Sequence, residues 1–122
     1  MPMTEHPTPV INPVRLAALS RGDASKLHAL IKLFIEVADS DIVKVRHAVA
    51  NRDSKSVKHA IHSIRAAAAT IGASHVALTS EQIELASGQG DWPQIEALLQ
   101  RFLVEFENVR TYLNSLQALP LV

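Results

Sequence analysis

The chain has 122 residues, no cysteine, and 12 basic against 12 acidic side chains, so its formal net charge is zero. That length supports one packed domain. The missing cysteines exclude a disulfide framework and a thiolate metal site, and electrical neutrality argues against a nucleic-acid binder. Hydrophobic residues make up 48% and aromatics only 4%. The apolar content is therefore mostly Ala, Leu, Val and Ile, which favours helices. No apolar run approaches the ~18 residues of a membrane span, and the start lacks the apolar core of a signal peptide. A reducing, cytoplasmic setting is expected.

Residues 1–11, Met1 to Ile11, carry three of the six prolines and read as a flexible tail or linker. Residues 119–122 read as a C-terminal tail. Between them, 12–118 form one unit. Asn12 caps a short helix with Pro13 in its first turn, ending near Ser20 at Arg21-Gly22. Arg21-Gly22-Asp23 spells an adhesion tripeptide, but here it reads as a helix stop followed by a cap. Asp23 opens a second helix to about Ala50, striped by Leu27, Leu30, Ile31, Phe34, Ala38, Ile42, Val45 and Val49. Asn51-Arg52-Asp53 is a tight connection, with Asp53 capping a third helix over about Ser54 to Ile71 that Gly72 terminates. A fourth helix spans about Ser74 to Ser87, with Val76, Ala77, Ile83 and Leu85 as its apolar residues, and Gly88-Gln89-Gly90 breaks it. Asp91 and Gln94 are spaced as a capping box around Pro93. The last helix runs to about Leu116 on Ile95, Leu98, Leu99, Phe102, Phe106, Val109, Leu113 and Leu116. Short connections make successive helices antiparallel. The predicted fold is all-α: an antiparallel up-and-down four-helix bundle with a short N-terminal capping helix.

The third helix carries the chemistry. At about 100° per residue, Val57, Ile61, Ile64, Ala68 and Ile71 fall within roughly 40° of one direction and must face the bundle. His62 then points about 140° away, toward solvent. Lys55, Lys58, His59, Arg65, Ala66 and Ala69 share its side. Flanking cations favour a neutral, nucleophilic imidazole at pH 7. Lys58 and Arg65 could later serve as counter-charges to a phosphoryl group. Small side chains at 66 and 69 leave room for a partner's active site to close over the ring. Taken singly, these are ordinary features: a solvated histidine, solubility charges, and alanines that favour helix. Other readings exist. His59 and His62 sit three apart, as metal ligands can, but no cysteine and no acid within a turn supports them. A helical interaction module is the second alternative. A nucleic-acid role would rest on the Lys55–Lys58–Arg65 stripe alone.

The run His62-Ser63-Ile64-Arg65-Ala66-Ala67-Ala68-Ala69-Thr70-Ile71-Gly72-Ala73 resembles the signature of histidine-containing phosphotransfer (HPt) domains. That signature is similar to His-x-Leu-Lys-Gly-Ser/Ala-Ala, an apolar residue and a glycine, with Leu-Glu closing the next helix. His62 matches the phosphorylated histidine, Ile64 the apolar position, Ala67 and Ala68 the small positions, Ile71-Gly72-Ala73 the helix end, and Ile83-Glu84 the later pair. Leu30 through Phe34 and Asp41-Ile42 resemble the preceding helix. The resemblance covers about 12 to 117. It departs at Arg65, where the family has lysine, and at Ala66, where it has glycine, which adds a methyl group beside the ring. The resemblance implies a carrier rather than an enzyme. His62 would accept a phosphoryl group from a receiver-domain aspartate of a hybrid histidine kinase and pass it to a response-regulator aspartate. Magnesium would belong to the receiver, the chain itself would need no cofactor and no metal, and it would act as a monomer. No Gly-x-x-x-x-Gly-Lys-Ser/Thr loop suggests ATP binding, and neither nucleic acid nor direct membrane contact is implied. The domain would be free-standing or the cytosolic C-terminal part of a hybrid sensor kinase. The departures leave one alternative, a degenerate module that docks receivers without carrying phosphate.

Overall fold

The structure, a computed structural model, describes residues 10–117. The predicted tails over 1–9 and 119–122 lie outside the described residues. Those described form five helices: α1 (Pro13–Ser20), α2 (Ala24–Ala50), α3 (Ser54–Ile71), α4 (Ser74–Gln89) and α5 (Trp92–Gln117). α2 packs on α3, α3 on α4, α4 on α5, and α5 back on α2, while α1 lies against α2 and α3. The fold is the predicted up-and-down bundle with its capping helix. Among the described residues no helix is long and apolar enough to cross a membrane.

Local chemistry sets the helix ends. The Asn12 side chain accepts from the Val14 and Arg15 amides, and the Asp23 side chain from the Lys26 amide. Asp53 accepts from the Ser56 amide and the Ser56 hydroxyl, and these bonds hold its carboxyl below the usual carboxylate range. Arg21, Gly72 and Gly90 close α1, α3 and α4 in the left-handed conformation. The Asp91–Gln94 pair is only half a capping box. Asp91 accepts from the Gln94 amide, but its own N–H donates to the Ala86 carbonyl, so no reciprocal bond is needed.

The stripes predicted on α2, α3 and α5 face one core. Val57, Ile61, Ile64, Ala68 and Ile71 are all buried, as are Phe34, Phe102 and Phe106; the Phe106 ring stacks on Phe102 and meets Phe34 at a tilt. Three expectations need correction. Ile11 belongs to the core rather than to the tail, because it is buried where the Asn12 N–H donates to the Gly72 carbonyl. α4 continues through Gly88 to Gln89. Leu85 is 63% exposed rather than inward-facing. α4 buries Thr79, Ser80 and Ser87 beside Val76 and Ile83, and their hydroxyls find partners at Glu105 Oε1, the Val76 carbonyl and the Ser54 carbonyl. Its inner face is therefore not marked by hydrophobicity alone.

Gly72 is where α1 docks. Its φ is +78°, and a Cβ there would stand 2.6 Å from Asn12 Cβ. Gly88 is helical with open space around it. Gly72→Ala should therefore destabilise the chain by at least about 1–2 kcal/mol, the cost of a left-handed non-glycine residue, before the clash is added. Gly88→Ala should stabilise it by about 0.5–1 kcal/mol. Urea denaturation of the two variants checks the opposite signs.

Candidate functional site

The buried stripe of α3 fixes its rotation and turns His62 outward, with 59% of its side chain exposed. Lys55, Lys58, His59, Ala66 and Ala69 are exposed as well, and Arg65 is half-buried. The structure sorts these residues onto two sides of α3. Lys58 and Arg65 turn toward α4, where they line a groove of about 430 Å³ with Glu81, Glu84, Leu85 and Gly88. Lys55 and His59 line a different groove, between α3 and α2. His59 is thus parted from His62. Among the described residues no three side chains of the metal-binding types come together. Ala66 lies on the open face, as does Ala69, whose carbonyl accepts from the Arg15 guanidinium of α1 at 3.4 Å.

The polar contacts of the His62 ring among the described residues are both at Nδ1. Glu84 Oε2 on α4 lies 3.2 Å away, and Arg65 Nη2 lies 3.1 Å away. Arg65 Nε donates in turn to Glu84 Oε1 at 2.5 Å. Glu84 is largely buried, its side chain 14% exposed. The two neighbours of Nδ1 ask opposite things of it. A carboxylate accepts only, so it takes a hydrogen from Nδ1. A guanidinium donates only, so it needs the Nδ1 lone pair. A neutral ring with its hydrogen on Nδ1 satisfies Glu84 and leaves a lone pair on Nε2, which has no protein partner among the described residues. The opposite tautomer satisfies Arg65 and spends Nε2 on the hydrogen. The next residue, Ser63, donates to the buried Asp41 of α2 at 2.8 Å. His62 is thereby bracketed by contacts to α4 on one side and to α2 on the other.

Glu84 is the residue that the spacing on α3 could not supply. It lies 22 positions beyond His62, so no rule about neighbouring turns finds it. Its signal in the sequence is the Ile83-Glu84 pair. Arg65 also differs from its expected role as a free surface cation, since it holds the buried end of Glu84.

An all-helical bundle that presents an exposed imidazole braced at one nitrogen and free at the other has the build of a histidine phosphotransfer domain. Residues 29–119, most of the chain, match the family model described as Hpt domain. No curated protein matches the sequence. Among solved structures, histidine-containing phosphotransfer protein B (HptB) from Pseudomonas aeruginosa PAO1 superimposes with a TM-score of 0.84 at 20% identity, over 93% of this chain and 100% of that one. A histidine-containing phosphotransfer protein from rice superimposes with a TM-score of 0.79 at 15% identity, over 88% of this chain and 79% of that one. At these identities the two structures speak for the fold. The family match carries the assignment: the chain belongs to the Hpt domain family. Its work is phosphotransfer in two-component signalling, as a carrier rather than an enzyme, in exchange with receiver domains.

The Arg65–Glu84 pair makes a stability prediction. Arg65→Glu sets two carboxylates against each other at a largely buried position, so it should cost about 1–3 kcal/mol rather than behave as a neutral surface change. Adding Glu84→Gln should recover much of the loss. A double-mutant cycle by thermal denaturation measures the coupling.

Proposed function

We propose that His62 is the phosphoryl acceptor and that Nε2 is the atom that carries the group. The observation that supports this most is the Glu84 carboxylate 3.2 Å from Nδ1 of an otherwise open ring. With the Nδ1 hydrogen directed to Glu84, the Nε2 lone pair attacks the phosphorus of a receiver's aspartyl phosphate. The P–N bond forms, the P–O bond to the aspartate breaks, and the aspartate leaves as a free carboxylate. The ring gains positive charge, which Glu84 meets through the hydrogen it already shares with Nδ1. In this tautomer Arg65 Nη2 has no acceptor at Nδ1 and turns to the oxygens of the arriving group, with Lys58 as a second cation on that side. The reverse sequence at another receiver returns the ring to its starting state. Transfer of this kind needs in-line approach and charge stabilisation more than covalent help from the protein. Magnesium belongs to the receiver.

The open face around Ala66 and Ala69, with the exposed Leu85 beside the Glu84 groove, is where a receiver closes over the ring. Lys55 and His59, on the other side of α3, are left out of this machinery.

Incubating the chain with a receiver carrying labelled aspartyl phosphate tests the reading. Wild type should acquire an acid-labile, base-stable label, and His62→Gln should acquire none. Equal labelling of both would falsify the choice of His62. Glu84→Gln keeps the shape of the brace but removes its charge, so it should fold normally and slow labelling by about tenfold or more. Ala66→Gly should leave stability almost unchanged and label at least as fast as wild type.

A further inference from the structure

A groove larger than the one beside Glu84 lies on the other side of α3, outside the phosphotransfer chemistry proposed above. It has a volume of about 650 Å³ and runs between the end of α2 and the start of α3. Its floor is shallow in side chains: Ala48 and Ala60 are small and buried, and Val43 gives an apolar edge, 66% exposed. Its rims are basic. Lys44 and His47 stand a turn apart on α2, and Lys55 and His59 a turn apart on α3. The carboxylate in the groove, Asp53, accepts from the Ser56 hydroxyl and amide and keeps its negative charge, one against the two lysines of the rims. Two basic rims over an apolar floor, with lysines outnumbering the one acid, complement a ligand that is apolar in the middle and acidic at its sides.

We propose that this groove is a second docking surface, for a short acidic segment of a partner polypeptide in extended form. The length fits. From Lys44 to Asn51 the helix rises about 10 Å, which an extended chain covers in about three residues. Successive side chains of such a segment point to opposite sides. With one apolar side chain on the alanines, its acidic neighbours leave the other side of the backbone and reach the basic rims by folding back over it, which the two methylenes of a glutamate allow. The groove is open along its length, which suits a peptide backbone that must keep contact with water. The surface is separate from the Arg65–Glu84 groove, so a partner held here leaves His62 open.

The test is an NMR titration of the intact ¹⁵N-labelled chain with the synthetic peptide acetyl-Glu-Leu-Glu-Leu-Glu-amide. A peptide with lysine for glutamate and free glutamate are the controls. Saturable shifts confined to residues 43–60 are expected for the acidic peptide, weakening as salt is added, with little response to either control. The Lys44→Glu/His47→Glu variant should lose about tenfold or more in affinity and still accept label on His62 from a phosphorylated receiver. Should that variant fail to fold, Lys44→Ala carries the same comparison. Equal binding of the lysine peptide, shifts centred on Arg65 and Glu84, or undiminished affinity in a folded variant would each overturn the proposal. Loss of His62 labelling in the folded variant would also overturn it, by making the groove part of the receiver contact. His62→Gln should bind the peptide like wild type, so this surface and the His62 reading stand or fall separately.

Discussion

The rotation of α3 about its own axis is the constraint on which the site depends. Five aliphatic side chains along one edge, Val57, Ile61, Ile64, Ala68 and Ile71, lie in the core. Each buried Ile or Val contributes on the order of 1.5–3 kcal/mol. The polar contacts of the outer face are each worth a few tenths to about 1 kcal/mol. Burial therefore decides the orientation, and the outer face follows from it. Nothing near His62 needs to hold the ring outward. It is exposed because its opposite edge is so strongly held inward. Exposure of the ring is in this sense a by-product of packing on the far side of the helix.

The second layer of control comes from α4. Phosphoryl carriers face a tension between stability of the modified state and ease of passing the group on. The pair of groups at Nδ1 speaks to that tension. Glu84 favours the hydrogen on Nδ1 and so a nucleophilic Nε2, while Arg65 favours the reverse, and the two are tied to each other as well as to the ring. Replacing the family's usual lysine with arginine makes this linkage richer. A guanidinium can bond a carboxylate through Nε and still offer Nη2 elsewhere, which a single ammonium nitrogen does less readily. If His62 carries the phosphoryl group as proposed, the arginine can turn from ring to phosphoryl oxygens without releasing its carboxylate.

Much of this was legible in the chain. Helices with sustained apolar periods, α2, α3 and α5, were placed within a residue or so, since burying a stripe leaves a repeating signature. α4 was the exception. It hides hydroxyl groups at Thr79, Ser80 and Ser87 beside Val76 and Ile83 and shows a leucine to solvent at 85, so its inner face carries a broken hydrophobic mark. Nothing local distinguishes Ile11, an aliphatic residue beside a proline-rich stretch, from a tail residue, although it seals the end of the bundle. For the same reason Glu84 could be matched to a motif but not given a task. Its contact with His62 exists only once α4 has folded back along α3. Which groove each cation of α3 faces was equally beyond reach, because Lys55 and Lys58 differ by a rotation whose meaning depends on where α2 and α4 stand.

The bond from the Ser63 hydroxyl to the buried Asp41 acquires a mechanical meaning from its position next to His62. It pins the axial register of α3 against α2 at the level of the reactive ring, as a dowel indexes two plates. On the proposed function the ring is presented twice, first to a donor and then to an acceptor, and both must meet the same nitrogen at the same height and angle. A scaffold indexed in this way serves as a fixed gauge for both encounters, so adaptation to different partners falls to the loops and surfaces of those partners.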